Sequence, residues 1–372
     1  MTTEPVPFLD LSRPHQALAA SLADGFAEAV RTTGFIGGPR VETFEADFAR
    51  FCGAEKCIGV ANGTDALFIA LKALGVGPGD VVLVPSFTFV ATAEAVSILG
   101  ATPRFVEVDP HTFTITADTL AKADATNVKA VIPVHLFGQC ADMQPIMTLA
   151  KKHGWRVLED AAQAHGATDQ GRAAGALGDL AAFSFYPTKN LGAIGDAGAI
   201  TGPSGETLER ARRLANHGRL GRYEHAEPGF NSRLDSIQAM ALSLKLRHLN
   251  DWNARRGAIA AMYDERLKEA GVITPSVRNS ASHVYHLYVI QVEQRERLQK
   301  ALDADRIGHG VHYGLPLHLQ PAYAGSGQGK GALPITERVA ERVLSLPMFP
   351  ELSESQVDRV VRVVRAHARA GS

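Results

Sequence analysis

Short apolar runs alternate with helix-spaced stretches over the first two thirds of the chain. Residues 81–84, 130–134, 156–159 and 181–185 are branched or aromatic, which predicts buried strands. Residues 66–74 and 146–153 lie between such runs and space their apolar positions as helices do. Strands alternating with helices predict βαβ units and a largely parallel sheet covered on both faces. In such a sheet ligands gather beyond the carboxyl ends of the strands, which sets where chemistry is to be sought. From Leu234 the pattern changes. Ile237, Met240, Leu244 and Leu249 keep helical spacing, and polar residues 250–256 lead into another helix through Leu267. Residues 284–290 read as a strand, and a helix of about ten residues follows. The expected architecture is α/β: a large domain over 1–249 with a mostly parallel sheet, and a smaller C-terminal α/β domain over 250–372. The boundary is expected between 245 and 255, and the glycine-rich residues 325–331 read as a flexible loop.

Length and charge narrow this picture. A chain of 372 residues suits two domains better than one core. Lys and Arg number 38 against 39 Asp and Glu, so a net charge of −1 gives no pull toward nucleic acid or an anionic membrane. A single helix terminus can still bind one phosphate without changing that total. Cys52, Cys57 and Cys140 form no disulfide framework and no zinc-ribbon spacing, so buried reduced thiols are expected and no metal. Residues 1–5 lack the basic start and apolar stretch of a signal peptide, and no apolar run reaches the roughly 18 residues of a membrane span. The expected location is the cytoplasm.

Three segments at strand ends carry candidate chemistry. Residues 57–67 run from a short strand through Asn62-Gly63-Thr64-Asp65 into a helix, whose unpaired N–H groups and the Thr64 hydroxyl suit a phosphate. The same four residues also spell a turn with a helix N-cap. At 157–166 a strand runs into Glu159 and Asp160, and a carboxylate there needs a positive partner such as a protonated heterocyclic nitrogen. A helix cap is the other reading of Asp160. At 184–192 a strand is broken by Pro187, and Lys189 follows on an irregular turn. Burial lowers a lysine pKa and frees a neutral amine for Schiff-base chemistry, although an exposed loop lysine is the commoner case. Together the three specify a pyridoxal-phosphate site: Lys189 for the Schiff base, Asp160 for the pyridinium and Gly63-Thr64 for the phosphate.

These segments, with residues 33–39, 85–89 and 229–235, resemble the DegT/DnrJ/StrS-type sugar aminotransferases, a branch of the aspartate-aminotransferase fold (fold type I). The resemblance runs over nearly the whole chain. It implies that Lys189 holds the cofactor and shuttles the proton, and that Asp160 pairs with the pyridine nitrogen. It further implies that Gln163 meets the ring's phenolic oxygen, that Ser184 joins Gly63 and Thr64 on the phosphate, and that Phe89 stacks on the ring. Asn231 matches a residue that reaches the cofactor phosphate of a neighbouring subunit, which implies a homodimer with a shared site.

Residues 195–199, Gly-Asp-Ala-Gly-Ala, stand where many relatives carry Gly-Glu-Gly-Gly, and they look more like the subgroup acting on 3-keto nucleotide sugars. Residues 312–320 are similar to that subgroup's substrate loop, with Gly314 in place of its usual Pro. His312, Tyr313 and His318 are therefore the candidate sugar-binding residues. The function expected is transfer of an amino group from an amino acid, glutamate, to a nucleotide-linked ketosugar, with 3-keto favoured over 4-keto. A PLP-dependent sugar dehydratase is the nearest alternative, but those relatives replace the Schiff-base lysine with His. A non-catalytic regulatory protein on the same fold is the other, and the intact Lys189, Asp160, Gln163 and Ser184 argue against it.

Overall fold

The computed structural model describes residues 4–368, so residues 1–3 of the terminal segment considered above lie outside the described residues. Its strands are β1 (Lys56–Val60), β2 (Val81–Pro85), β3 (Thr102–Val106), β4 (Val128–Val131) and β5 (Arg156–Asp160). A short hairpin follows, β6 (Thr168–Asp169) with β7 (Arg172–Ala173), then β8 (Leu180–Ser184), β9 (Gly198–Gly202), β10 (Tyr288–Gln291) and β11 (Val343–Leu346). Seven of them form one sheet in the order β1-β9-β8-β5-β4-β2-β3. All run the same way except β9, which is antiparallel to both β8 and β1.

The continuous apolar runs are explained by two cores, one on each face. Successive residues of a strand point to opposite sides. In β2, Val82 and Val84 enter one core and Leu83 the other; in β8, Ala181 and Phe183 enter one while Leu180 and Ala182 enter the other. The helices Pro39–Cys52, Met143–His153 and Ser236–Leu246 cover the first face, and Gly63–Ala73, Ala91–Ile98 and Glu206–Ala215 the second. A third core gathers Ile259, Tyr263, Tyr288, Ile290, Leu344 and Val360 around the β10–β11 pair. Val6 belongs to it, paired with Ile307, so the start of the described chain packs on the far end of the sequence.

Several boundaries differ from the sequence expectation. Residues 250–256 are not a link between helices but the first turns of the helix Leu249–Arg266, polar because they are mostly exposed. That helix passes from the first core at Leu249 to the third at Ile259. The expected strand at 284–290 is confined to β10. Upstream of it, Val284 N–H donates to the Gly138 carbonyl at 2.9 Å and Leu287 N–H to Phe137 at 3.3 Å, so the backbone is spent on a turn of the large core. Gly138 has φ +114°, and an added Cβ would lie 2.9 Å from the Tyr285 nitrogen, so only glycine allows this approach. Residues 325–331 do not hang free. Gln328 accepts from Phe105 N–H and donates to Phe105 C=O, each at 2.9 Å, and so covers the outer edge of β3.

Candidate active site

A cavity of about 750 Å³ opens beyond the carboxyl ends of the parallel strands. Gly63 and Thr64 reach it past β1, Thr88 and Phe89 past β2, Asp160 and Gln163 past β5, and Ser184 and Lys189 past β8. Asn62 caps the helix Gly63–Ala73 by accepting from Asp65 N–H at 2.8 Å, so the N-cap reading of this turn holds. The phosphate reading survives beside it. The N–H groups of Gly63 and Thr64 have no hydrogen-bond partner among the described residues, and the Ser184 side chain adjoins them. An added Cβ at Gly63 would lie 2.5 Å from the Ser184 Cβ, so this close approach needs glycine.

Asp160 is buried at the end of β5 and caps no helix. Its Oδ2 accepts from the Thr92 hydroxyl at 2.8 Å and its Oδ1 from Ala162 N–H at 3.2 Å. Burial pushes its carboxyl above the ordinary aspartate range, against the pull of those two donors. Lys189 sits on a tight turn in which its N–H donates to Tyr186 C=O at 2.8 Å, and Ala193 N–H closes the loop on Phe185 C=O. Gly192 makes the turn possible, since a Cβ there would lie 2.3 Å from the Pro187 carbonyl oxygen. Removal from bulk water lowers the Lys189 ammonium to about 8, opposed by the attraction of Asp160. The two charges share one cavity yet form no ion pair within 4.0 Å among the described residues. A group with a carbonyl for the amine, a protonated nitrogen for the carboxylate and a phosphate for the Gly63 turn fits between them. Pyridoxal phosphate is such a group.

Gln163 and Tyr313 extend the constellation. Gln163 Oε1 accepts from Phe137 N–H at 2.7 Å, which turns its amide N–H toward the cavity, where it donates to the Tyr313 hydroxyl at 3.2 Å. Burial raises the Tyr313 phenol to about 12. Phe89 lines the cavity half-exposed, with its ring 6.1 Å from that of Tyr313. His312 also lines it, stacked 5.8 Å from Phe8 and bonded through Nδ1 to the Ser345 hydroxyl at 2.8 Å.

Two candidates lie elsewhere. His318 is buried outside the cavity, with Nδ1 on the Ser86 hydroxyl at 2.6 Å and Nε2 on Glu337 at 3.2 Å. With both nitrogens engaged it has nothing to offer a sugar; instead it anchors the end of the segment that carries Tyr313. Asn231 is exposed and outside the cavity, paired through its backbone with Asn216.

Other residues packed around the site escaped the sequence reading. Thr92 holds Asp160 from a helix 68 positions away. Glu159, which precedes Asp160 at the end of the strand, is fully enclosed and accepts from His135 Nε2 and from the N–H groups of Gly175, Leu177 and Gly178. It therefore braces β5 rather than facing the cavity. A second lysine, Lys245, is also lowered by burial to about 8. Its ammonium donates to Gly192 C=O at 2.7 Å and to His15 Nε2 at 2.9 Å, beneath the Lys189 loop and outside the cavity.

Residues 17–365 match the model of the DegT/DnrJ/EryC1/StrS aminotransferase family. A pleiotropic regulatory protein of Geobacillus stearothermophilus is 46% identical over 96% of this chain and 97% of its own length. The dTDP-3-amino-3,4,6-trideoxy-alpha-D-glucose transaminase of Streptomyces venezuelae is 45% identical over 98% of this chain and 97% of its own. The crystal structure of S. venezuelae DesV with a ketimine intermediate superposes with a TM-score of 0.97 at 44% identity, covering 100% of both chains. A Bacillus subtilis relative solved with bound PMP cofactor gives 0.91 at 31% identity, over 98% of this chain and 85% of its own.

Proposed function

The chain belongs to the DegT/DnrJ/EryC1/StrS aminotransferase family, and from that premise we propose that it carries an amino group from glutamate to C3 of a nucleotide-linked 3-ketosugar. It is a pyridoxal-phosphate-dependent sugar aminotransferase of fold type I. The observation that carries the reading is the separation of Lys189 and Asp160 in one cavity, two opposite charges with room between them.

Bound pyridoxal phosphate supplies an electron sink for the carbanion left when a proton leaves the carbon beside an amine nitrogen. The protein's share is positioning and proton transfer. We assign the phosphate to Gly63, Thr64 and Ser184, and the face of the ring to Phe89. Asp160, aimed by Thr92, holds a positive heterocyclic nitrogen where water cannot compete. Gln163 offers an amide N–H to the ring's oxygen in place of Tyr313. Lys189, lowered to about 8, is neutral in an appreciable fraction of molecules near pH 7.5, so Nζ can take a proton from one carbon and return it to another.

Support for the 3-keto position comes from relatives named for 3-amino or 3-dehydro sugars at 43–45% identity, and from His312 and Tyr313 at the cavity wall. The homodimer is supported by exposed apolar side chains, Phe35, Ile36, Tyr186, Leu220 and Tyr223 among them, and by Asn231 lying outside its own chain's cavity. Residues 1–249 then hold the cofactor, and 250–372 bring His312 and Tyr313 to it. No helix among the described residues is long and apolar enough to cross a membrane. A cytoplasmic location suits the three free, buried cysteines, which such a compartment keeps reduced.

Mass spectrometry of products from a panel of 3-keto and 4-keto nucleotide sugars with glutamate tests the proposal. A 3-amino sugar formed with one equivalent of 2-oxoglutarate is expected. Amination of the 4-keto sugars alone, or only with another donor, overturns it.

A further inference from the structure

His286 lines the cavity on the segment before β10, and a chain of amides settles which of its nitrogens carries the proton. Backbone carbonyls only accept hydrogen bonds, which fixes every amide in the chain. The His165 carbonyl accepts from Asn253 Nδ2 at 2.8 Å, so Asn253 Oδ1 is left as the acceptor toward Asn190. Asn190 Nδ2 therefore donates, to Asn253 Oδ1 at 2.8 Å and to Val284 C=O at 2.9 Å. Its Oδ1 then faces His286 Nδ1 at 3.3 Å, and Nδ1 must be the donor. Neither asparagine can flip without setting a carbonyl oxygen against a carbonyl oxygen.

Burial, reinforced by the positive charges of Lys189 and Arg256, keeps this ring neutral. With Nδ1 protonated, Nε2 is a bare lone pair. It has no partner among the described residues, and the cavity is what the residue adjoins. Such a nitrogen takes O–H or N–H groups and repels oxygens that only accept. In a ketosugar nucleotide the reacting carbonyl and the diphosphate only accept, whereas the ring hydroxyls donate.

We propose that His286 is a specificity-determining residue whose Nε2 accepts a hydrogen bond from a hydroxyl of the acceptor sugar, with Asn190 and Asn253 setting its tautomer. The proposal rests on the sugar-acceptor reading above. Asn190 is thereby a positioning residue: it follows Lys189 directly and ties the lysine loop to the helix Leu249–Arg266.

The direct test is ¹⁵N NMR of histidine-labelled, cofactor-loaded protein, with the His286 signals identified by their loss in His286→Phe. A pyrrole-type Nδ1 and a pyridine-type Nε2 are expected near neutral pH. Adding the aminated nucleotide-sugar product shifts Nε2 and leaves Nδ1 in place. In steady-state kinetics, His286→Phe raises the acceptor KM about tenfold more than the donor KM, the worth of one neutral hydrogen bond. His286→Gln, which can present an amide oxygen, recovers part of the loss. A protonated Nε2, an Nε2 signal indifferent to the sugar, or equal changes in the two KM values overturns the proposal. If the unmodified enzyme takes the amino donor yet aminates no ketosugar, the acceptor reading falls and this proposal with it. A working acceptor with unchanged His286→Phe kinetics overturns the proposal alone.

Discussion

Replacing Lys189 with methionine should stabilise the cofactor-free protein. The folded chain holds this ammonium away from bulk water, lowering it from 10.5 to about 8, which corresponds to about 3 kcal/mol. The side chain still opens onto the cavity, where some water reaches it, so a gain of about 2–3 kcal/mol is expected. Its sign with pH follows from proton counting. The unfolded chain keeps the lysine proton up to about pH 10.5, and the folded chain gives it up around pH 8. Between those values the unfolded state binds more protons, so the stability of the unmodified protein rises with pH. Methionine carries no proton. Its advantage is therefore complete near pH 7 and falls to roughly 1 kcal/mol by about pH 9.5. Urea denaturation of both cofactor-free proteins at the two pH values measures the difference. A variant no more stable than the unmodified protein at pH 7, or a gain that does not shrink with pH, refutes the claim that burial of Lys189 costs stability in exchange for a reactive amine.

Other predictions address the groups around that lysine. Gly63→Ala sets a Cβ 2.5 Å from Ser184 Cβ, so either the turn shifts or the helix start backs away. Equilibrium titration with pyridoxal phosphate should show affinity reduced by tenfold or more with the fold kept, a loss of about 1–3 kcal/mol. Unchanged affinity removes this turn from the phosphate site. Thr92→Val deletes the 2.8 Å bond to Asp160 and leaves a buried carboxylate short of a donor, which costs roughly 1.5–3 kcal/mol. The expected result is slower turnover, with Thr92→Ser recovering most of it. A serine variant as slow as the valine one would mean that the methyl group, not the hydroxyl, matters.

The sheet was legible because each residue of a buried strand feeds a core on one face or the other, as Val82, Leu83 and Val84 do. Lys189 and Asp160 were legible because both stand where an apolar run stops, the place a parallel sheet puts its ligands. What escaped depends on contacts between distant positions. His318 reads like a neighbour of Tyr313, yet its partner Ser86 lies 232 positions away and draws it out of the cavity. Residues 284–287 have a strand's composition, but their backbone bonds go to the 136–138 turn, and that diversion brings His286 to the cavity wall. Glu159 stands beside Asp160 in the sequence, and nothing local separates their roles; alternation along β5 turns it to the opposite side, onto His135 and three backbone donors.

Two lysines in this protein are lowered to about 8, and only one adjoins Asp160. Reducing the cofactor-loaded enzyme with borohydride fixes the cofactor on whichever lysine holds it, and peptide mass mapping then locates it. The modification is expected on the peptide carrying Lys189 and on no other. Its appearance on Lys245, or on any lysine outside the cavity, would contradict the account.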